Sequence, residues 1–426
     1  MNKEAVIMKK VIVFVLTVAM LMGVCACGGN VETPAETTTV PVSALKEKTN
    51  VADPLTWEQI NAIPIANDSM TEEQLRQICI DAFRLQLTFG WTPSVTTDYN
   101  SGMSGKTFYK GQVYGGPPYQ SGRFGNIYKW MYFYDEENGM LDLSGGQGTL
   151  AKICNQCTGG ALTGWGRVVN SARYAGTNEI TEANGCLRVG TYTYDENIKA
   201  FGMRDTYAIC NDNGAITMWE SYAALKPADG IVNYKNGDNG SGAGHVRMVV
   251  SVDVVRNSDG TVNGLQSTLT YLDQWAVYSD AVQSNGIPYE VEGGVDVVMS
   301  FMDVFNNGYL PFTYAELIKQ DPVEKAVATL SVSGDSVKAA ELARATIKSN
   351  YIMSDISVSV TDGSGKEVYH NDGILYATLM PFEGMINVAA PKAELEKYAD
   401  GSHTVTVSTR VSTGEKIVAY TGTLIN

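Results

Sequence analysis

Two strand-forming runs joined by turn residues constrain this chain more than any other feature. "GHVRMVVSVDVV" (residues 244–255) and "LQSTLTYLDQWAVY" (residues 265–278) are dense in β-branched and aromatic residues, and "NSDGTVNG" between them carries an Asp-Gly turn. A connection this short joins antiparallel neighbours, because a parallel crossover needs a dozen or more residues. An apolar run at residues 230–234 reads as a further strand. Upstream, "DSMTEEQLRQICIDAFRLQLTFGW" reads as a helix, with Thr71 and Gln74 in a capping-box pattern. Leu75, Ile78, Cys79, Ala82, Phe83 and Leu85 form its apolar stripe, on which Cys79 is expected to be a small core residue. Helices packed on an antiparallel sheet make the expected class α+β.

The rest of the chain is read the same way. Residues 92–150 are rich in Gly, Tyr and Ser and read as loops, with Gly-Gly-Pro-Pro in "YGGPPYQSGRFG" forcing turns. A second helix is expected from Cys157 to about Ala175, because Ala161, Leu162, Trp165, Val168, Val169 and Ala172 recur at helical spacing. Gly159, Gly160, Gly164 and Gly166 weaken that helix but let it pack closely. From residue 205 the pattern suggests strands, with a hairpin at residues 212–214, and residues 296–320 look helical. The last hundred residues carry short strands such as "ISVSVTDGSGKEVYH" and "HTVTVSTRV" between Gly, Asp and Ser turns. They suggest an all-β, immunoglobulin-like sandwich without catalytic residues, with one helical turn at 391–400.

Of three histidines, only His245 lies before that sandwich. It opens a strand directly after the Gly-rich "KNGDNGSGAGH", where a half-exposed imidazole suits a general base. A plain solvent-exposed histidine would occupy the same place. With Asp259 and Gly260 as a two-residue turn, the hairpin register sets Gln274 opposite His245, and a slip of one sets Asp273 or Trp275 there. A polar residue there would fix the ring's orientation and tautomer. An ordinary polar pair at a strand end would look alike.

A nucleophile would complete such a site. Cys157 stands at a helix start, where unpaired N–H groups and the helix dipole favour a thiolate. Cys154, one turn earlier, reads as a structural neighbour. A zinc site would also need Cys186 and Cys210, whose spacing of 24 supplies only half of the usual paired pattern. A redox pair would want a strand leading into the CxxC, and the approach here is glycine-rich. No G-x-S-x-G elbow, P-loop or dinucleotide fingerprint occurs, and no cofactor is expected. Whether Cys186 and Cys210 pair stays open.

At the N-terminal end, Lys3, Lys9 and Lys10 precede an apolar run too short for a comfortable membrane span, and the run leads to "LMGVCACGGN". This reads as a lipoprotein signal over residues 1–27, with Cys27 the lipidated residue after Ala26. The mature chain would then be extracytoplasmic and lipid-anchored to a bacterial membrane. Residues 28–52, rich in Thr and Pro, read as a tether. Domains are expected at 53–322 and 326–426. The 46 acidic residues against 31 Lys plus Arg argue against a nucleic-acid partner. Oligomeric state is left open.

Three stretches carry a resemblance. "GGPPYQSG" is similar to a Tyr-bearing loop, "QCTGGAL" to a D-C-S-G-hydrophobic motif, and "LKPADGIVNY…GHVRMVVSV" to L-x-P-G-D-hydrophobic followed by G-H-V. Together with "LTYLDQ", they resemble the papain-like NlpC/P60 superfamily and its CHAP and amidase relatives, over roughly residues 68–320. The resemblance implies a papain-like fold and a thiol hydrolase of amide bonds, often those of peptidoglycan stem peptides. Cys157 would be the nucleophile, His245 the base, Asp273 or Gln274 its orienting partner, and Tyr119 an oxyanion donor. Three features depart from the pattern: Gln156 replaces the usual Asp, residues 176–205 lengthen the Cys-to-His interval, and Asp229 is displaced. The competing expectation is a non-catalytic surface-binding protein on a vestigial scaffold.

Overall fold

Reciprocal capping sets the first two helices. Thr56 and Gln59 cap α1 (Trp57–Ala62), and Thr71 and Gln74 cap α2 (Glu72–Thr88), each pair exchanging side-chain and backbone hydrogen bonds. Leu75, Ile78, Cys79, Ala82 and Phe83 of the α2 stripe are buried as expected, whereas Leu85 is only partly buried and Leu87 takes the inner position. The structure is a computed structural model that describes residues 54–100, 105–172, 176–202, 204–237, 242–275, 294–375 and 381–426. The expected signal segment with Cys27 and the tether lie outside the described residues.

Residues 92–150, expected as loops, hold short regular pieces instead. These are β1 (Gly90–Pro93), β2 (Thr97–Asn100), β3 (Gly105–Phe108), β4 (Tyr114–Gly115), α3 (Ile127–Met131), β5 (Tyr134–Asp135), β6 (Met140–Leu141) and α4 (Gln147–Ile153). Their aromatics are core. Trp91 packs on Phe108, Tyr114 and Trp130 with ring centroids 5.1–5.3 Å apart. Strands of two to four residues are too short to show alternation, so composition alone reads as loop.

The second helix, α5 (Cys157–Trp165), ends ten residues before Ala175. Gly164 and Gly166 withdraw helix propensity there, and the chain leaves through tight turns from Arg167 N to Gly164 O and Val168 N to Trp165 O. Every residue of α5 is buried. A Cβ on Gly164 would lie 2.5 Å from Cys79 O and 2.7 Å from Met248 Cε, so glycine lets α5 slot between α2 and the sheet.

After β7 (Leu187–Arg188), the expected hairpin at 212–214 is a helix, α6 (Thr206–Ala223). Asp205 caps it by accepting from Ala208 N, and the Asn-Gly turn chemistry becomes a kink at Gly214, whose φ is 75°. Asn213 there bonds Thr193 N and O and Ile209 O, so tertiary contacts outvote the local hairpin preference.

The main sheet consists of β7, β8 (Gly230–Lys235), β9 (Ala243–Asp253), β10 (Thr268–Leu272), β11 (Val297–Ser300) and β12 (Leu310–Thr313), in the order β11-β10-β9-β8-β12-β7 and antiparallel throughout. The helical expectation for 296–320 is corrected to β11, a short α7 (Phe301–Asn306) and β12. Gly308, at φ 64°, reverses the chain after α7, and the fully buried β12 gives a continuous apolar run that periodicity cannot assign.

Beyond residue 326 a separate buried cluster forms between two sheets. One has the order β14-β20-β19-β16-β17, from β14 (Ser336–Lys338), β16 (Asp355–Thr361), β17 (Glu367–Ile374), β19 (Asp400–Arg410) and β20 (Lys416–Ile425). The other pairs β13 (Ala328–Leu330), β15 (Thr346–Ser349) and β18 (Glu383–Met385). Two single-turn helices, α8 (Ala339–Leu342) and α9 (Lys392–Leu395), complete it, the latter where a helical turn was expected. The chain as a whole is α+β.

Candidate active site

The loop bearing Tyr119 is stitched to the approach to α5. Gln120 N donates to Asn155 O (2.8 Å), Asn155 N to Pro118 O (3.0 Å), and Gly122 N to Gln156 Oε1 (2.7 Å). Gln156, where the resemblance would place Asp, thus ties this loop to the residue before Cys157. Cys157 is the first residue of α5, within reach of first-turn N–H groups.

On the sheet, β9 carries His245. Its backbone N–H donates to Asn233 Oδ1 across the β8–β9 pair (2.8 Å), and Nε2 lies 2.9 Å from Asp273 Oδ2. Nδ1 is buried and has no hydrogen-bond partner within ordinary limits among the described residues, and the imidazole stands near enough to the Cys157 thiol to act on its charge. Trp275 packs edge-on to the His245 ring at 5.0 Å and lies 5.6 Å from the Tyr119 ring. Cys157, His245 and Tyr119 are 4 %, 8 % and 9 % exposed, so they line a nearly closed site.

The hairpin does not follow the two-residue-turn register expected from its sequence. The turn closes from Asn257 N to Thr261 O around residues 258–260, residues 264–266 intervene, and the ladder shifts again between Thr270 and Tyr271. It ends at Leu272 opposite Met248. The same register, continued, sets Asp273 opposite Arg247 and Trp275 opposite His245. Asp273 reaches His245 diagonally on the same face. Gln274 points to the other face: its Nε2 donates to Pro117 O (3.0 Å), and its Cβ lies against Gly160. Gln274 therefore supports the Tyr119 loop and the first turn of α5, and Asp273 is the residue on the imidazole.

The electrostatics separate Cys157 from its neighbours. Burial opposes its thiolate, but the nearby His245 imidazole, with help from Thr158 and the Val246 backbone, brings the thiol below its ordinary value. Burial likewise opposes charge on His245, while Asp273 and Cys157 raise its pKa to about 9. Burial and the adjacent Cys157 push Tyr119 up, keeping its hydroxyl a donor. Burial raises Cys79, and it raises Cys154 and Cys210 to about 12. Cys210 is a free thiol directed at Tyr309 O, so it forms no pair with Cys186.

Arg247 and Asn233 also belong to the site, although no motif in the sequence marks them. Arg247 follows His245 by two along a strand, and that period of two places it on the same face. Asp229 is 2 % exposed and pairs with Arg76 of α2 at 2.7 Å, an anchor between helix and sheet. Among the described residues no group of three His, Cys, Asp or Glu side chains is placed to hold a metal. No family model, curated protein or solved structure matches this chain.

Proposed function

We propose that this chain is a cysteine hydrolase of amide bonds, built on a papain-like NlpC/P60-type domain over residues 53–322 followed by an immunoglobulin-like domain over 326–426. The observation that carries the reading is the Cys157–His245–Asp273 arrangement: a lowered thiol at a helix start, beside an imidazole whose far nitrogen is held by a buried carboxylate.

In this reaction the Cys157 thiolate attacks the carbonyl carbon. The oxyanion forms against the Tyr119 hydroxyl and the N–H groups of the first turn of α5. His245 Nδ1–H gives its proton to the leaving amine as the C–N bond breaks. Water, deprotonated by the now neutral His245, then attacks the thioester, and departing Cys157 Sγ returns as thiolate beside the imidazolium. Asp273 holds the ring through Nε2 in both steps.

Peptidoglycan stem peptides are the substrate class proposed, with the protein held at the membrane through lipid on Cys27. Incubation of purified protein with peptidoglycan, followed by mass spectrometry, is expected to yield fragments that disappear with Cys157→Ala. In producing cells, Cys27→Ala is expected to move the protein from the membrane fraction to the soluble fraction. Fragments that persist in Cys157→Ala would remove this nucleophile, and unchanged partition would remove the anchor.

A further inference from the structure

The carboxylate that holds His245 has a second partner. Asp273 Oδ2 receives His245 Nε2 at 2.9 Å and Arg247 Nε at 3.0 Å. Asp273 is 2 % exposed, and its Oδ1 is buried without a hydrogen-bond partner among the described residues. The carboxylate is therefore compensated largely through one oxygen shared by two cations. The guanidinium is fixed in turn: its carbon lies 4.2 Å from the Tyr271 ring centroid and 4.9 Å from that of Tyr309, and Nη1 meets Met299 Sδ at 3.6 Å. Register explains the cluster. His245 and Arg247 share one face of β9, and Tyr271 and Asp273 share the facing side of β10 and its extension.

We propose that Arg247 is a positioning residue of this site, holding the Asp273 carboxylate against His245 Nε2 and supplying its counter-charge. Arg247 touches neither the thiol nor the carbonyl under attack; it acts through Asp273. Without that cation the buried carboxylate loses a partner on the oxygen that meets Nε2, and with it the fixed position against the ring. The imidazolium then loses its support, and the thiolate beside it loses its own. Among the described residues, the charged and titratable groups around Asp273 are His245 and Arg247 from β9, Tyr271 from β10, Tyr309 before β12, and Cys157 beyond His245.

This inference rests on the proposed Cys157–His245–Asp273 site, and the test separates the two. Cys157 alkylation by iodoacetamide is followed against pH by mass spectrometry of its peptide, so no substrate is needed. In the unaltered protein Cys157 is expected to react ahead of Cys79, Cys154 and Cys210. Lack of that selectivity overturns the site itself. With selectivity present, Arg247→Gln is expected to move the acidic limb upward by about one pH unit, a roughly tenfold slower reaction at fixed pH on the limb. Arg247→Lys, retaining charge but not the planar fork, is expected to fall between. In an Asp273→Asn background Arg247→Gln is expected to add no further shift. A folded Arg247→Gln with an unmoved limb overturns the inference alone, as does a further shift in the Asp273→Asn background. Should Arg247→Gln not fold, an unmoved limb in Arg247→Lys overturns it equally.

Discussion

Burial alone would hold Cys157 as a thiol, as it does Cys154 three residues earlier, which is raised to about 12. The difference is the imidazole, and it fixes a pH profile. The proposed hydrolysis needs thiolate for attack and imidazolium for the leaving amine. Thiolate appears as pH rises through the lowered Cys157 value, and imidazolium is lost as pH rises through about 9. Hydrolysis is therefore expected to fall on the alkaline side near pH 9, while Cys157 alkylation, which needs no proton donor, does not fall there. Parallel profiles of the two rates check this, and an alkaline fall in both would sink it. At this scale Cys157 and His245 were legible because their chemistry shows in residue type and local position. The choice between Asp273 and Gln274 was not, because the extra residues at 264–266 and the shift at Thr270 leave no mark in the hairpin's turn signal.

The element that brings thiol and sheet together is α5, whose glycines read in the sequence as both a weakness and a licence for close packing. Gly160 is where that licence is used. A Cβ there would press on Gln274 Cβ and come within 3.1 Å of Phe83 Cε2. Alanine would gain about 1 kcal/mol of helix propensity, but overpacking a buried contact costs about 1–3 kcal/mol, so the clash wins. Gly160→Ala is expected to lower Tm and slow Cys157 alkylation, because α5 must move off the residue next to Asp273. Gly148 of α4, with open space around it, is the control: Gly148→Ala is expected to keep or raise Tm. Wild-type Tm and alkylation in Gly160→Ala would contradict this. The helix over 206–223 escaped the sequence reading for a related reason. Its Asn-Asp-Asn-Gly run carries hairpin chemistry that only the Asp205 cap and the Asn213 contacts to residue 193 overrule.

Across the whole molecule, the two cores are closely joined. Tyr132, next to α3, donates to Asp355 Oδ2 at 2.6 Å at the start of β16, and Asn126 Nδ2 reaches Ser354 Oγ at 2.9 Å. Arg410 stacks over Trp57 at 4.6 Å, and the Tyr351 hydroxyl donates to Val168 O at 3.3 Å. Arg167, directly after α5, bonds the Tyr128 hydroxyl and Ile63 O and lies against Gly414 of the C-terminal sheets. None of this was legible, because contacts between residues some 200 positions apart leave no periodic trace. Such contacts predict that the two cores unfold together. Asp355 is 1 % exposed and has two donors, Tyr132 Oη and Arg410 N at 3.0 Å. Tyr132→Phe leaves Oδ2 buried and unmatched, at about 1–3 kcal/mol. Calorimetry is expected to give one transition for the full chain, lowered by a few degrees as a single peak in Tyr132→Phe. Two transitions, only one of them moved, would instead describe a C-terminal module that folds independently and merely touches the part carrying Cys157.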